Sequence, residues 1–173
     1  IRQVVADFVE GAVRAKQVGF DAVEIHAAHG YLGAQFLSPL SNNRTDAYGG
    51  SSERRARFVL EIGRGIREAV GDDFPVLLRF SADEKLKGGL TLDAARCLVP
   101  LFEKAGFSAL HVSAGCYSSM EWIVQPYLQE RACLGDLAKA IRQETDLPVI
   151  AVGRIVDLDA AERLLRDGSA DLV

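Results

Sequence analysis

The sequence has few of the residues that staple a fold or tie it to a membrane. Its three cysteines, Cys97, Cys116 and Cys133, are odd in number and far apart. That pattern excludes a disulfide scaffold and gives no zinc-ligand spacing, so a reducing, cytoplasmic setting is expected. No apolar run approaches the roughly 20 residues that cross a bilayer, and no signal peptide is visible; no membrane partner is expected. The net charge is only −4, with both signs interspersed. The basic clusters ERRAR (53–57) and GRGIRE (63–68) fall at helical spacing and read as solvated helix faces, not as a nucleic-acid surface. Histidine is rarer than chance placement needs: His26, His29 and His111 are the whole complement.

What remains is ordinary for a globular protein. About half of the 173 residues are apolar (49%) and a quarter charged (25%), enough for one domain with a sizeable core. The chain opens at Ile1 already inside a helical pattern and stops within the strand-like ADLV. The expectation is a single domain, residues 1–173, cut from a longer polypeptide at both ends.

Helix and strand patterns alternate throughout. Helices are predicted over 1–19, 51–71 with Ser51 or Ser52 as N-cap, 91–106 with Thr91 or its neighbour as cap and a kink or early stop at Pro100, 134–146 and 158–168. Strands are predicted at FDAVEIHAA (20–28), FPVLLRFSA (74–82), FSALHVSAG (107–115), LPVIAVGR (147–154) and SADLV (169–173). A long loop holds a short helical turn near Leu32–Phe36. The joints VGFDAVEI, AGFSALHV and DGSADLV repeat one αβ unit weakly. Strands separated by helices pair in parallel, in a doubly wound sheet or a (β/α)8 barrel. The strands end in polar residues, His26, Arg79, Ser113 and Gly153, as at the catalytic rim of a barrel. Five strands are too few for eight, so the expected fold is α/β: a partial (β/α)8 TIM barrel.

Two of the three histidines stand in VEIHAAHGYLGAQFLSP (23–39), with Tyr31 two residues after the second. Side chains alternate along a strand, so Glu24 and His26 share a face. If that face lines a barrel, His26 is at the rim with Glu24 below it, and His29 and Tyr31 fold over the rim from the loop. Two neutral imidazoles can each donate an N–H to one carbonyl oxygen, and a phenol beside them can supply a proton. Such a group suits reduction of a C=C bond conjugated to a carbonyl. Two plainer readings stay open: a metal pair, for which no third ligand is visible, and a structural pair tied to loop backbone. By the same counting Glu24 and His111 share a layer below His26 and Ser113. A buried carboxylate needs a partner, so Glu24 is expected to meet His111 or Arg79.

The run GFDAVEIHAAHGYLGAQFLSPLSNNRTDAYGGSSERRARFVLEI (19–62), with VLLRFS, VSAG, PVIAVGRI and GSADLV, resembles the flavin-dependent old yellow enzyme family, including NADH:flavin oxidoreductases and 2,4-dienoyl-CoA reductases. The resemblance covers nearly the whole chain. It implies an FMN-binding (β/α)8 barrel, here from its third helix to its eighth strand, using NADH or NADPH to reduce a small unsaturated carbonyl compound. His26 and His29 would hold the carbonyl oxygen and Tyr31 would protonate the α carbon. Arg79 would sit at the N1/O2 edge of the flavin, its fixed charge favouring the anionic reduced ring. Gly153 would bring backbone N–H groups to the FMN phosphate, with Arg154 next to it, and Ser113 would touch flavin or substrate. From sequence alone the plainer readings are a salt bridge inside the barrel for Arg79, an ordinary tight turn for Gly153 and the start of a turn for Ser113. Arg44, Asp46 and Tyr48 are read as braces of the long loop.

Longer family members carry an iron–sulfur segment after the barrel. Cys97, Cys116 and Cys133 lack its close spacing, so a cluster is an expectation for a longer parent only. The competing expectation is a non-catalytic half-barrel, an assembly module unable to hold FMN alone. An open arc leaves a strand edge bare, so pairing with another copy as a homo-oligomer, or aggregation, is expected.

Overall fold

Alternation of helix and strand runs the length of the chain. In the computed structural model, which describes residues Ile1–Val173, the order is α1 (Arg2–Gln17), β1 (Val23–Ala27), α2 (Leu32–Leu37), α3 (Ser52–Val70), β2 (Val76–Asp83), α4 (Leu92–Lys104), β3 (Ala109–Ala114), a 3-10 helix (Tyr117–Trp122), α5 (Gly135–Arg142), β4 (Val149–Ala151) and α6 (Leu158–Arg166). Side-chain caps start the helices where an orphan N–H needs an acceptor. Ser51 Oγ accepts from the Arg54 N–H at 3.4 Å, Thr91 Oγ1 from Ala94 at 3.4 Å and Asp157 Oδ1 from Ala160 at 2.7 Å. Pro100 neither ends nor shortens its helix; α4 runs on to Lys104 and buries Phe102.

All four strands are parallel, in the order β1-β2-β3-β4. With helices on one face and a concave row of polar side chains on the other, this is an arc of a (β/α)8 barrel. The register places His26 beside Arg79, Arg79 beside His111, and His111 beside Ile150. These four form one row across the concave face. The next row toward the strand ends carries Ser81 and Ser113, and the row below pairs Glu24 with Leu77 and Ala109. Counting from strand ends had put His111 level with Glu24; the register puts it level with His26 and Arg79, because stagger between strands is set by pairing.

Three local features differ from the sequence expectation. The strand at 147–154 shortens to Val149–Ala151, and SADLV (169–173) contributes a single bridge, Ile150 with Leu172. The 3-10 helix after β3 was not foreseen. β2 carries a register shift between Ser81 and Asp83, which re-aims the residues that follow it.

The opposite faces of the strands point at the helices. Leu78, Phe80, Leu110, Val112, Val149 and Ala151 are fully buried there with Phe58, Ile62, Ile66, Leu98 and Phe102. Phe80 meets Phe102 edge-on at 5.3 Å, and Phe36 stacks on Phe58 at 4.3 Å. Each such side chain contributes about 1.5–3 kcal/mol by leaving water. β1 is an edge strand, and with α1 it borders an apolar recess of about 390 Å³ lined by Val4, Phe8, Ala12, Val23 and Ile25.

Candidate active site

β1 ends at Ala27, and the chain then turns sharply. His29 takes a left-handed backbone conformation (φ 63°) and Gly30 another (φ 78°). An L side chain pays for that conformation, and at His29 two contacts hold it. The His29 N–H donates to Ser81 Oγ at 3.1 Å, and the Ser81 hydroxyl donates to the Gly115 carbonyl at 2.8 Å. His29 Nε2 meets Ser113 Oγ at 2.7 Å. Gly33 lets the start of α2 lie on the end of β1, since a Cβ there would sit 2.8 Å from Ala27 Cα.

This turn brings the expected trio together. The rings of His26 and His29 are 5.0 Å apart, and those of His26 and Tyr31 are 5.1 Å apart. Tyr31 is the N-cap residue of α2 and is about half exposed. His29 is buried, and burial, helped by the Arg79 charge, lowers its pKa to about 4. Burial and Arg79 lower His26 in the same direction. Both rings are therefore neutral near pH 7, and each offers one N–H. A serine hydroxyl can donate to a bare Nε2, the tautomer that leaves the His29 proton on Nδ1.

Arg79 shares their row. Its Nε is buried and has no hydrogen-bond partner in the chain. An unmet buried donor costs about 1–3 kcal/mol, and a guanidinium left so on a concave face suits a planar acceptor. Below it, Glu24 Oε2 accepts from His111 Nδ1 at 2.7 Å. That contact, with the nearby Arg79, outweighs burial, so the Glu24 pKa is lowered. The Glu24–His111 pairing expected from sequence is present. The carboxylate holds a proton on Nδ1, and Nε2 of the same ring is buried and has no partner in the chain.

Ser113 lies next to this row, but its hydroxyl is engaged with His29. Gly153 and Arg154 stand at the other side of the arc, after β4. Three strand spacings separate β1 from β4, roughly 14 Å, so neither touches the trio. Gly153 has φ 105°, and a Cβ there would come within 2.5 Å of Leu134 Cγ. The glycine thus has a packing reason besides any ligand. Its N–H and that of Arg154 donate to no backbone acceptor. The Arg154 guanidinium donates to the Gln129 carbonyl and lies 5.3 Å from the Tyr127 ring.

Several working residues were not singled out in the sequence. Glu84 is buried; its carboxylate accepts from Ser38 Oγ at 2.6 Å and from the Leu90 N–H at 2.7 Å. An acidic residue just past a strand rich in buried side chains was the signal. Tyr117, from the 3-10 helix, meets Tyr31 edge-on at 5.6 Å. Asn42 and Arg55 join Arg44, Asp46 and Tyr48 in bracing the long loop. Asn42 Nδ2 donates to the Phe36 and Tyr48 carbonyls at 2.7 Å each, and Arg55 Nε to the Leu37 carbonyl at 2.9 Å. Arg44 pairs with Asp46, and Tyr48 Oη donates to Glu61 at 2.9 Å. No set of three or more His, Cys, Asp and Glu side chains is grouped as a metal would need, and no helix is long and apolar enough to cross a membrane.

Two imidazoles, a phenol and an unpaired guanidinium thus share the concave face of a parallel β/α arc. The chain belongs to the NADH:flavin oxidoreductase / NADH oxidase family, whose pattern it matches over residues 1–173. It is 48% identical over 173 residues to the NADH oxidase of Thermoanaerobacter brockii, covering all of this chain and 27% of that protein. It is 39% identical to the NADPH dehydrogenase of Bacillus subtilis, covering 49% of that protein. Among solved structures, 2-naphthoyl-CoA reductase in complex with 2-naphthoyl-CoA superimposes with a TM-score of 0.93 at 31% identity, over 99% of this chain and 26% of that one. Morphinone reductase in complex with tetrahydroNAD gives 0.78 at 32% identity, over 99% of this chain and 44% of that one. The chain thus spans about a quarter to a half of the length of these relatives.

Proposed function

We propose that residues 1–173 form one unit of an FMN-dependent NAD(P)H oxidoreductase that reduces C=C bonds conjugated to a carbonyl, and that this unit binds the substrate and supplies its proton. The observation that carries the reading is the meeting of His26, His29 and Tyr31 in front of the unpaired Arg79. FMN, when bound, would accept hydride from NAD(P)H and pass it to the β carbon. Arg79 would hold the electron-rich edge of its ring, the free Gly153 and Arg154 N–H groups would take its phosphate, and Ser113 would orient His29.

His26 and His29 each donate one N–H to the carbonyl oxygen and stabilise the negative charge that develops there. One such donor is commonly worth about 10²–10³ in rate. Their lowered pKa values keep them neutral, so they donate without protonating the product. Tyr31 gives its phenolic proton to the α carbon, a contribution of about 10²–10⁴.

The test separates the two half-reactions in the intact, FMN-loaded protein. Tyr31→Phe is expected to slow oxidation of the reduced protein by cyclohexenone about 10²-fold or more, while reduction by NADH or NADPH stays near the parental rate. Equal loss in both halves would contradict Tyr31 as the proton donor.

A further inference from the structure

We propose that Tyr117 is the second phenol of a proton relay, returning a proton from solvent to Tyr31 as Tyr31 protonates the substrate. The proposal rests on the reading of Tyr31 given above. Tyr31 has His26 on one side at 5.1 Å and Tyr117 on the other at 5.6 Å. The imidazoles are poor sources for its proton. Both are neutral near pH 7, and the proton each retains is the one it lends to the carbonyl oxygen. Tyr117 also stays neutral, but its O–H is not lent to the carbonyl oxygen. Its neighbour Tyr31 is the main reason its pKa lies above the ordinary phenol value, so it keeps its proton through neutral pH. It is 57% exposed and Tyr31 48%, so its hydroxyl can exchange protons with water.

The loop fixes Tyr117 in this place. Gly115 turns with φ 82°, Ser119 Oγ accepts from the Cys116 N–H at 2.9 Å, and the same hydroxyl donates to the Glu84 carbonyl at 2.6 Å. On the facing turn, a Cβ at Gly30 would lie 3.2 Å from Tyr117 Cδ2, so glycine permits the close approach. In the relay, the Tyr31 O–H bond breaks as the Cα–H bond forms. The Tyr117 O–H proton moves to Tyr31 Oη, and a solvent proton moves to Tyr117 Oη. No electrons move in these transfers; the electron pair that reduces the C=C bond arrives as hydride. The chain of transfers leaves no phenolate at the mouth of the site.

Tyr117→Phe keeps the ring and removes the hydroxyl. In the intact, FMN-loaded protein it is expected to slow oxidation by cyclohexenone about 10-fold with cyclohexenone affinity and NAD(P)H reduction unchanged. The dependence of that rate on D2O fraction should change from bowed, with two protons in flight, to linear. Tyrosinate absorbance offers a readout apart from turnover: in Tyr31→Phe, Tyr117 should titrate at a lower pH than in the parent. A parental rate and bowed dependence in Tyr117→Phe, or weaker cyclohexenone binding at an unchanged rate, would overturn the relay. If Tyr31→Phe slows oxidation and Tyr117→Phe does not, the relay alone fails. If Tyr31→Phe reacts at the parental rate, the reading of Tyr31 fails and takes the relay with it.

Discussion

Glu84 is the residue whose removal should most disturb the surroundings of the site without touching its chemistry. It follows the register shift at the end of β2, and its side chain is buried at 4% exposure. Its carboxylate joins Ser38, after α2, to the Leu90 N–H, before α4, at 2.6 and 2.7 Å. Its carbonyl also accepts from Ser119 in the 3-10 helix at 2.6 Å. Glu84→Ala leaves the Ser38 hydroxyl and the Leu90 N–H facing a void. Each unmet buried donor costs about 1–3 kcal/mol, and the relief of no longer burying a charge offsets part of the sum. A net loss of about 3 kcal/mol is expected. Glu84→Gln keeps one acceptor oxygen and should lose about half as much. Urea unfolding, with the slope unchanged so that midpoints compare directly, measures both. A loss below about 1 kcal/mol for Glu84→Ala would refute the reasoning, since that is the range of an ordinary surface substitution.

Gly153→Ala should be destabilising by about 2–4 kcal/mol, because the new Cβ meets Leu134 Cγ at 2.5 Å and the backbone stands at φ 105°; thermal unfolding checks it. Acid should weaken the fold through His29. The folded ring stays neutral down to about 4, whereas the unfolded ring takes its proton near 6.5. The unfolded state therefore binds the extra proton between those values, and stability falls as pH drops from about 6.5 to about 4. His26, shifted the same way, adds to that slope. Unfolding midpoints across this window should be flatter in His29→Asn than in the parent.

The trio and its strand were legible because they are local: alternation along the strand assigns the side of His26, and His29 and Tyr31 follow within six residues in the turn that leaves it. The Glu24–His111 contact was legible for a different reason, that a carboxylate facing a barrel interior has to find a partner. The row to which His111 belongs was not, because alternation fixes a side chain's face within one strand and says nothing about stagger against the next. Helix ends were readable at Ser51 and Thr91, where the cap is a side chain. The length of β4 was not, since Val152 and Gly153 continue the apolar letters while left-handed Gly153 turns the chain away. Glu84, and the contact of Tyr117 with Tyr31, escaped notice because the partners lie far away in sequence: Ser38 for Glu84, Tyr31 for Tyr117. At Gly153 the sequence shows the turn but not its packing: Leu134, distant in sequence, occupies the space a side chain would need, whatever ligand the backbone also meets.

Ring-nitrogen NMR of the intact, FMN-loaded protein with and without cyclohexenone, the His26, His29 and His111 signals assigned by single substitutions, examines the paired imidazoles one by one. The account predicts that His26 and His29 both shift on binding and both keep a single N–H, while His111, tied through Nδ1 to Glu24, stays where it was. Unmoved signals from His26 and His29, or a response confined to His111, would contradict it.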